Sequence, residues 1–269
     1  GKAKPQMNFN SFNEAADAVK HFIHAGGGDF NDHACALFDL QFKQVPPFRK
    51  LCEAKGIISN EITNWQDIPA LTTSSYGEFD ITSLSPNDRI TAFHSSGTTS
   101  ASTSKHWHNS ESLSVYEASL QSNFQTHMIP EVTWSGDCLS LTPSNVGAPH
   151  SSLAHMATNV APPDMNFAGI NSHDGWRVDT VIANSMCARA VDQQRPIIII
   201  GPAFSFVHWL DELTENFNLP EGSRVMETGG YKGRSREIPK TELHGMISKK
   251  LGISADWIVC EYGMCELGS

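Results

Sequence analysis

The chain has 269 residues, with 39% hydrophobic and 18% charged side chains. That is ordinary globular composition, above the usual size of a small single domain, and it excludes bulk disorder. Nineteen basic residues face 29 acidic ones, for a net charge of −10, which disfavours a broad nucleic-acid or anionic-membrane surface but not a local basic pocket.

Phe12, Ala16, Val19 and Ile23 recur at helical spacing and predict a helix that ends at Gly26-Gly27-Gly28. A second helix is expected over residues 31–44, with Asp32 as its cap. Pro46-Pro47 separates it from a third helical stretch, Phe48 to Ala54. Residues 58–88 carry many turn formers and read as a long connection. Ile90 to Phe93 reads as a strand, followed by a Ser/Thr-rich loop. Leu113, Tyr116, Leu120, Phe124 and Met128 then mark a long helix. Beyond it, strands are expected at 138–141, 196–200, 224–226 and 257–260. Helices are expected at 150–160, 178–191, 204–217 and 239–251, the last opened by Pro239 and closed by Gly252. This alternation predicts an α/β fold, mixed or parallel sheets with helices packed on the faces. Two regions follow: an N-terminal helical and connecting region, 1–89, and an α/β region, 90–269.

Cys35, Cys52, Cys138, Cys187, Cys260 and Cys265 are scattered, with no C-x-x-C pair. In a chain of this length they read as free thiols in a reducing compartment, and a cytoplasmic location is expected. Neither a secretory signal nor a membrane span is visible. His106-Trp107-His108 and His21/His24 are the closest histidine pairs, and neither has partners at a recognised zinc spacing.

The segment richest in chemistry is Ser95 to Lys105. Eight of the ten residues from Ser95 to Ser104 are Ser or Thr, and Gly97 lies among them. Small hydroxyl residues around a glycine let backbone N–H groups approach an anion, and Lys105 adds a positive charge. A loop between a strand and a helix is also where α/β folds bind ligands. A flexible Ser/Thr linker is the plain alternative. The segment is not a Walker P-loop.

Ser95-Ser96-Gly97-Thr98-Thr99 with Lys105 resembles the phosphate loop of adenylate-forming enzymes, the acyl-CoA synthetases and their relatives. Thr228-Gly229-Gly230 and Glu261-Tyr262-Gly263-Met264-Cys265-Glu266 resemble two later motifs of that superfamily, in the same order. Thr-Gly-Gly-Tyr-Lys-Gly (228–233) and Glu-Tyr-Gly-Met (261–264) are similar to the LuxE-like acyl-protein synthetases in particular. The stretches 37–41 and 65–70 are weakly similar to that branch. The resemblance implies the N-terminal part of an adenylate-forming fold, with the family's later C-terminal region lying beyond Ser269.

It further implies ATP and Mg²⁺ as cofactors, a fatty or related carboxylic acid as substrate, and an acyl-adenylate intermediate. The acyl group would pass to a thiol acceptor, a protein cysteine or CoA, with an acyl-transfer protein as a possible partner. Ser95, Ser96, Gly97, Thr98 and Thr99 would hold the β- and γ-phosphates, with Lys105 beside them. Gly229 and Gly230 would lie against adenine, and Tyr262 would stack on it. Glu266 would bind Mg²⁺. His150 and His155 fall where the superfamily places acyl-pocket residues, and Met156, Phe167 and Trp176 are candidate apolar lining. The family's phosphate-contacting Thr is replaced here by Cys265. Lys232, Arg234 and Arg236 form a basic cluster after the Gly pair, read as a solvated loop, with contact to an anionic donor or partner as the alternative. Two rival functions remain. One is a non-catalytic nucleotide- or acyl-binding homologue. The other is an acyl hydrolase pairing Ser95 or Ser96 with His94 or His150, which lacks a G-x-S-x-G elbow.

Overall fold

The structure is a computed structural model that describes residues 6–95, 103–131, 133–160, 164–173, 175–231 and 233–265. The chain divides into two compact units, Gly1–Ser122 and Asn123–Ser269.

In the first unit, α1 spans Phe12–Ala25. Ser11 caps it by accepting from Glu14 N–H, while the Glu14 carboxylate accepts from Asn10 N–H at 2.9 Å. Gly26 closes it in a left-handed conformation, φ 58°. The second helix, α2, spans Phe30–Gln44 and is capped by Asp29 rather than Asp32, because the Asp29 carboxylate accepts from both Asn31 and Asp32 N–H. Asp32 sits in its first turn. The two prolines do not precede the next helix but open it: α3 spans Pro46–Ala54, since a first-turn residue needs no N–H partner. Cys35, Phe38, Val45, Phe48, Cys52 and Ile62 form the apolar core of these helices. Residues 58–88 are short turns plus α4, Ser75–Glu78. Then β1, Thr91–His94, pairs antiparallel with β2, Lys105–His108. The long helix α5, Ser110–Met128, follows, and the division between units falls within it.

The second unit is built on five parallel strands: β3 (Asp137–Ser140), β4 (Met165–Phe167), β7 (Ile197–Gly201), β8 (Arg224–Glu227) and β9 (Ile258–Cys260). Their order across the sheet is β4-β3-β7-β8-β9, every pair parallel. A separate antiparallel hairpin pairs β5, Gly169–Ser172, with β6, Gly175–Val178. The connecting helices are α6 (Ser152–Val160), α7 (Thr180–Gln193), α8 (Ala203–Glu212) and α9 (Lys240–Leu251). The fold is therefore α/β. The central strand shows why: Ile197 to Ile200 are all fully buried, as expected of a parallel strand covered on both faces. Trp209, Phe206 and Leu210 of α8 and Leu243 and Ile247 of α9 share one apolar cluster with that strand.

One expected helix is shorter than its apolar pattern. It stops at Glu212 rather than Phe217, because Phe217 N–H donates to Lys250 O and Leu219 N–H to Leu251 O. The chain there follows the end of α9 instead of continuing its own helix. Among the described residues, no helix is long and apolar enough to cross a membrane.

Candidate ligand-binding loops

The Ser/Thr-rich segment joins two strands of a hairpin, not a strand to a helix. Residues 105–108, for which no element was expected, form β2, because their backbone completes the register Thr91↔His108 to His94↔Lys105 with β1. At the hairpin base, Ser95 N–H donates to Ser104 O at 3.0 Å. The Ser95 hydroxyl accepts from Ser104 N–H and from the Ser104 hydroxyl. Ser95 thus ties the two strands together. Ser96, Gly97, Thr98 and Thr99 lie outside the described residues.

Lys105 is exposed on β2, its Nζ 5.8 Å from the Trp107 ring centroid. Arg89 lies over the same ring at 5.1 Å and donates to Asp80 at 2.9 Å. That bond, more than the added charge of Lys105, holds the Asp80 carboxyl below its ordinary range.

In the second unit, the loops that matter leave the carboxyl ends of adjacent parallel strands. Doubly wound sheets bind ligands at that edge, usually where the strand order reverses. Here the reversal falls between β3 and β7, but that place is filled. Ser140 and Thr142 are fully buried and hydrogen-bonded to each other at 2.8 Å. Gly169 packs onto the Thr142–Pro143 backbone so closely that a Cβ would stand 2.1 Å from it. The loops after β8 and β9 carry exposed residues, Gly229 on the first and Tyr262 and Gly263 on the second.

The loop after β8 is Thr228-Gly229-Gly230. Thr228 N–H donates to Gly201 O, and Phe204 N–H, at the start of α8, donates to Gly230 O at 3.2 Å. Gly229 has φ 60°, and a Cβ there would meet no atom within 4 Å. Its glycine is therefore selected by backbone conformation, not by crowding within the chain. The turn is held from below by Glu227, the last residue of β8, which is 1% exposed. Its carboxylate accepts from Gly229 N–H at 2.6 Å and from His244 Nε2 of α9 at 2.9 Å. Cys260, at the end of β9, has its thiol pushed up by burial first, then by hydrogen bonding to Glu227 and by that carboxylate's charge.

After β9, Glu261 N–H donates to Glu227 O at 2.8 Å, which joins the two loops at their roots. Tyr262 follows, 84% exposed, its hydroxyl 3.3 Å from Met264 Sδ. Tyr262 is therefore not a core residue. Cys265 is buried. Glu266 lies outside the described residues. Among the described residues, no group of three or more His, Cys, Asp or Glu stands in position to hold a metal.

His150 is exposed on the connection from β3 to α6. His155 is buried on α6, and its carbonyl accepts from Asn159 Nδ2 at 2.7 Å. Met156 is buried, whereas Phe167 and Trp176 are half-buried.

The basic cluster is not a uniformly solvated loop. Arg236 is exposed and paired with Asp211 at 2.9 Å. Arg234 is packed, its guanidinium 5.3 Å from the Trp176 ring centroid and 5.1 Å from that of Phe204. Lys232 lies outside the described residues. Glu227 and His244 are the residues that sequence reasoning missed. For Glu227 one signal was present: a carboxylate two positions before a glycine at a strand end fits an acceptor for that glycine's N–H.

The sequence matches no family model and no curated protein.

Proposed function

We propose that the chain uses ATP and Mg²⁺ to activate a fatty or related carboxylic acid as an acyl-adenylate and passes the acyl group to a thiol of a protein cysteine or of CoA. One observation supports this reading above the others. The Thr-Gly-Gly and Glu-Tyr-Gly-Met motifs, recognised independently in sequence, stand side by side at the carboxyl ends of β8 and β9 in one parallel sheet.

In this reaction a carboxylate oxygen attacks the α-phosphorus of ATP. The bond to the β-phosphate oxygen breaks and pyrophosphate leaves. A thiolate then attacks the acyl carbon and AMP leaves. Catalysis of this kind is mainly positioning and charge stabilisation. The left-handed turn at Gly229, pinned by Glu227, offers backbone without side chains to a flat base. The exposed ring of Tyr262 offers a face to stack on it. The phosphate roles of residues 95–105 and the Mg²⁺ role of Glu266 rest on the motif resemblance alone. Mg²⁺ would neutralise phosphate charge, held largely by phosphate oxygens and water. The reading carries a cytoplasmic location with it, since ATP and reduced thiols coexist there.

The test is thermal unfolding of the full chain with Mg-ATP, for the wild type and for Tyr262→Ala and Lys105→Ala. At about 100 times its dissociation constant, the nucleotide stabilises the wild type by about 2.7 kcal/mol. Each variant is expected to shift less. Absence of a wild-type shift at millimolar Mg-ATP sinks the reading, and a full shift in both variants sinks the residue assignments.

A further inference from the structure

Glu227 is joined to three segments of the second unit through three different atoms. Its Oε2 accepts from Gly229 N–H at 2.6 Å, in the loop after β8. Its carbonyl accepts from Glu261 N–H at 2.8 Å, in the loop after β9. Its Oε1 accepts from Nε2 of His244, on α9, at 2.9 Å. The residue that holds the Thr-Gly-Gly turn is thus also tied to the root of the Tyr262 loop, and His244 links it to a helix.

The two carboxylate oxygens have different tasks. The last torsion of a glutamate side chain joins an sp³ carbon to an sp² carbon and is broad, so the bond to Gly229 alone leaves the carboxylate plane free to tilt. A bond to the other oxygen removes that freedom, and His244 makes it. The Cys260 thiol is also hydrogen-bonded to this carboxylate, but a thiol is a weak donor and does not replace the imidazole. Among the described residues, Glu227 is the one hydrogen-bond partner of the His244 ring. Docking of α9 does not account for the bond. Leu243, Ile247 and Leu251 bury that helix in the apolar cluster of the sheet, and Gly252 closes it in a left-handed conformation. The helix is held without its histidine, so His244 acts on Glu227.

We propose that His244 is a positioning residue for the ligand site: by holding Oε1 it sets the carboxylate plane of Glu227, and Oε2 in turn sets the Gly229 turn against which a nucleotide base lies. His244 touches no ligand in this scheme. Its effect reaches the base through one carboxylate and one backbone N–H. The positioning of the turn stands on the hydrogen bonds; the nucleotide as ligand rests on the reading of the chain as an ATP-dependent enzyme.

The experiment measures amide exchange at Gly229 and calorimetric binding of Mg-ATP for the full chain, as wild type, His244→Leu and His244→Gln. The glutamine amide can donate to Oε1 in place of Nε2, and leucine cannot. His244→Leu is expected to quicken exchange at Gly229 and to weaken Mg-ATP, each by about tenfold or more, the size that loss of a hydrogen bond to a charged group allows. His244→Gln is expected to restore most of both losses. In a Glu227→Ala background, His244→Leu is expected to change neither further. Should His244→Leu fail to fold, His244→Asn, polar but too short for Oε1, takes its place with the same expected losses. A folded His244→Leu protein with wild-type exchange at Gly229, or with wild-type Mg-ATP affinity, overturns the proposal. So does a His244→Gln protein as impaired as His244→Leu, or an equal effect of His244→Leu with and without Glu227. Exchange at Gly229 that depends on His244 in a protein that binds no Mg-ATP upholds the positioning and removes the nucleotide reading. Mg-ATP binding with exchange and affinity that both ignore His244 does the reverse.

Discussion

Replacing Glu227 tests whether a buried carboxylate holds the Gly-Gly turn. Its side chain is 1% exposed and accepts two hydrogen bonds, from Gly229 N–H at 2.6 Å and His244 Nε2 at 2.9 Å. A hydrogen bond to a charged group contributes about 1.5–3 kcal/mol, against about 0.5–1.5 for a neutral pair. Glu227→Gln keeps the shape. Its carbonyl oxygen can still accept from Gly229, but its amide must face His244, whose Nε2 then has to accept. Two charge-assisted bonds become neutral, a loss of about 2 kcal/mol. Glu227→Ala removes both hydrogen bonds from part-exposed donors and should cost about 3 kcal/mol. At about 2–4 °C per kcal/mol for a domain of 150–250 residues, Glu227→Gln should lower Tm by about 4–8 °C. Calorimetric unfolding measures this, and amide exchange at Gly229 should quicken in the same variant. A Glu227→Gln protein that melts at or above the wild-type temperature refutes the reasoning.

Gly229 has open space around its absent Cβ but φ 60°, so Gly229→Ala should cost about 1–2 kcal/mol and Gly229→Asn less, in urea unfolding; an Asn variant as unstable as Ala would contradict a purely conformational cost. Asp39 is buried with Oδ1 unpartnered, and burial raises its pKa. A raised folded-state pKa penalises the native state progressively as pH rises from the ordinary value through the raised one, so Asp39→Asn should stabilise at pH 7, and that gain should vanish below the ordinary value of 3.8. Asp80, Asp211 and Glu131 are each held low, chiefly by hydrogen bonds from Arg89, Arg236 and Arg224. Their stabilisation is present above the ordinary carboxylate range and is lost as pH falls through their lowered values, so Tm measured from pH 5 downward should fall, unlike that of a variant lacking all three.

Features set by short-range chemistry were legible from sequence. The run Ile197 to Ile200 announced a buried strand, and the apolar spacing from Phe12 to Ile23 announced α1. Pro239 and Gly252 bracketed α9, Gly252 at φ 71°. The misses came from contacts distant in the chain. Lys105 to His108 carries polar and aromatic residues with little apolar alternation, and it is a strand because β1 supplies its partners. The β5–β6 hairpin is likewise mostly exposed on β5, so its pattern is weak. The end of α8 is decided by carbonyls of α9. For the site, strand-end placement of Thr228-Gly229-Gly230 and Tyr262 was legible, because short motifs after apolar runs reveal themselves. The stacking of Arg234 was not, since nothing in its own neighbourhood names Trp176 or Phe204 as partners.

The central claim is carboxylate activation by ATP, and carboxylate-dependent exchange of labelled pyrophosphate into ATP tests it most directly. The full chain, supplied with Mg-ATP and straight-chain acids in turn, should exchange label with at least one acid and not without acid. Tyr262→Ala should reduce that exchange. Binding of Mg-ATP with no exchange for any acid would contradict adenylate formation and leave a nucleotide-binding protein.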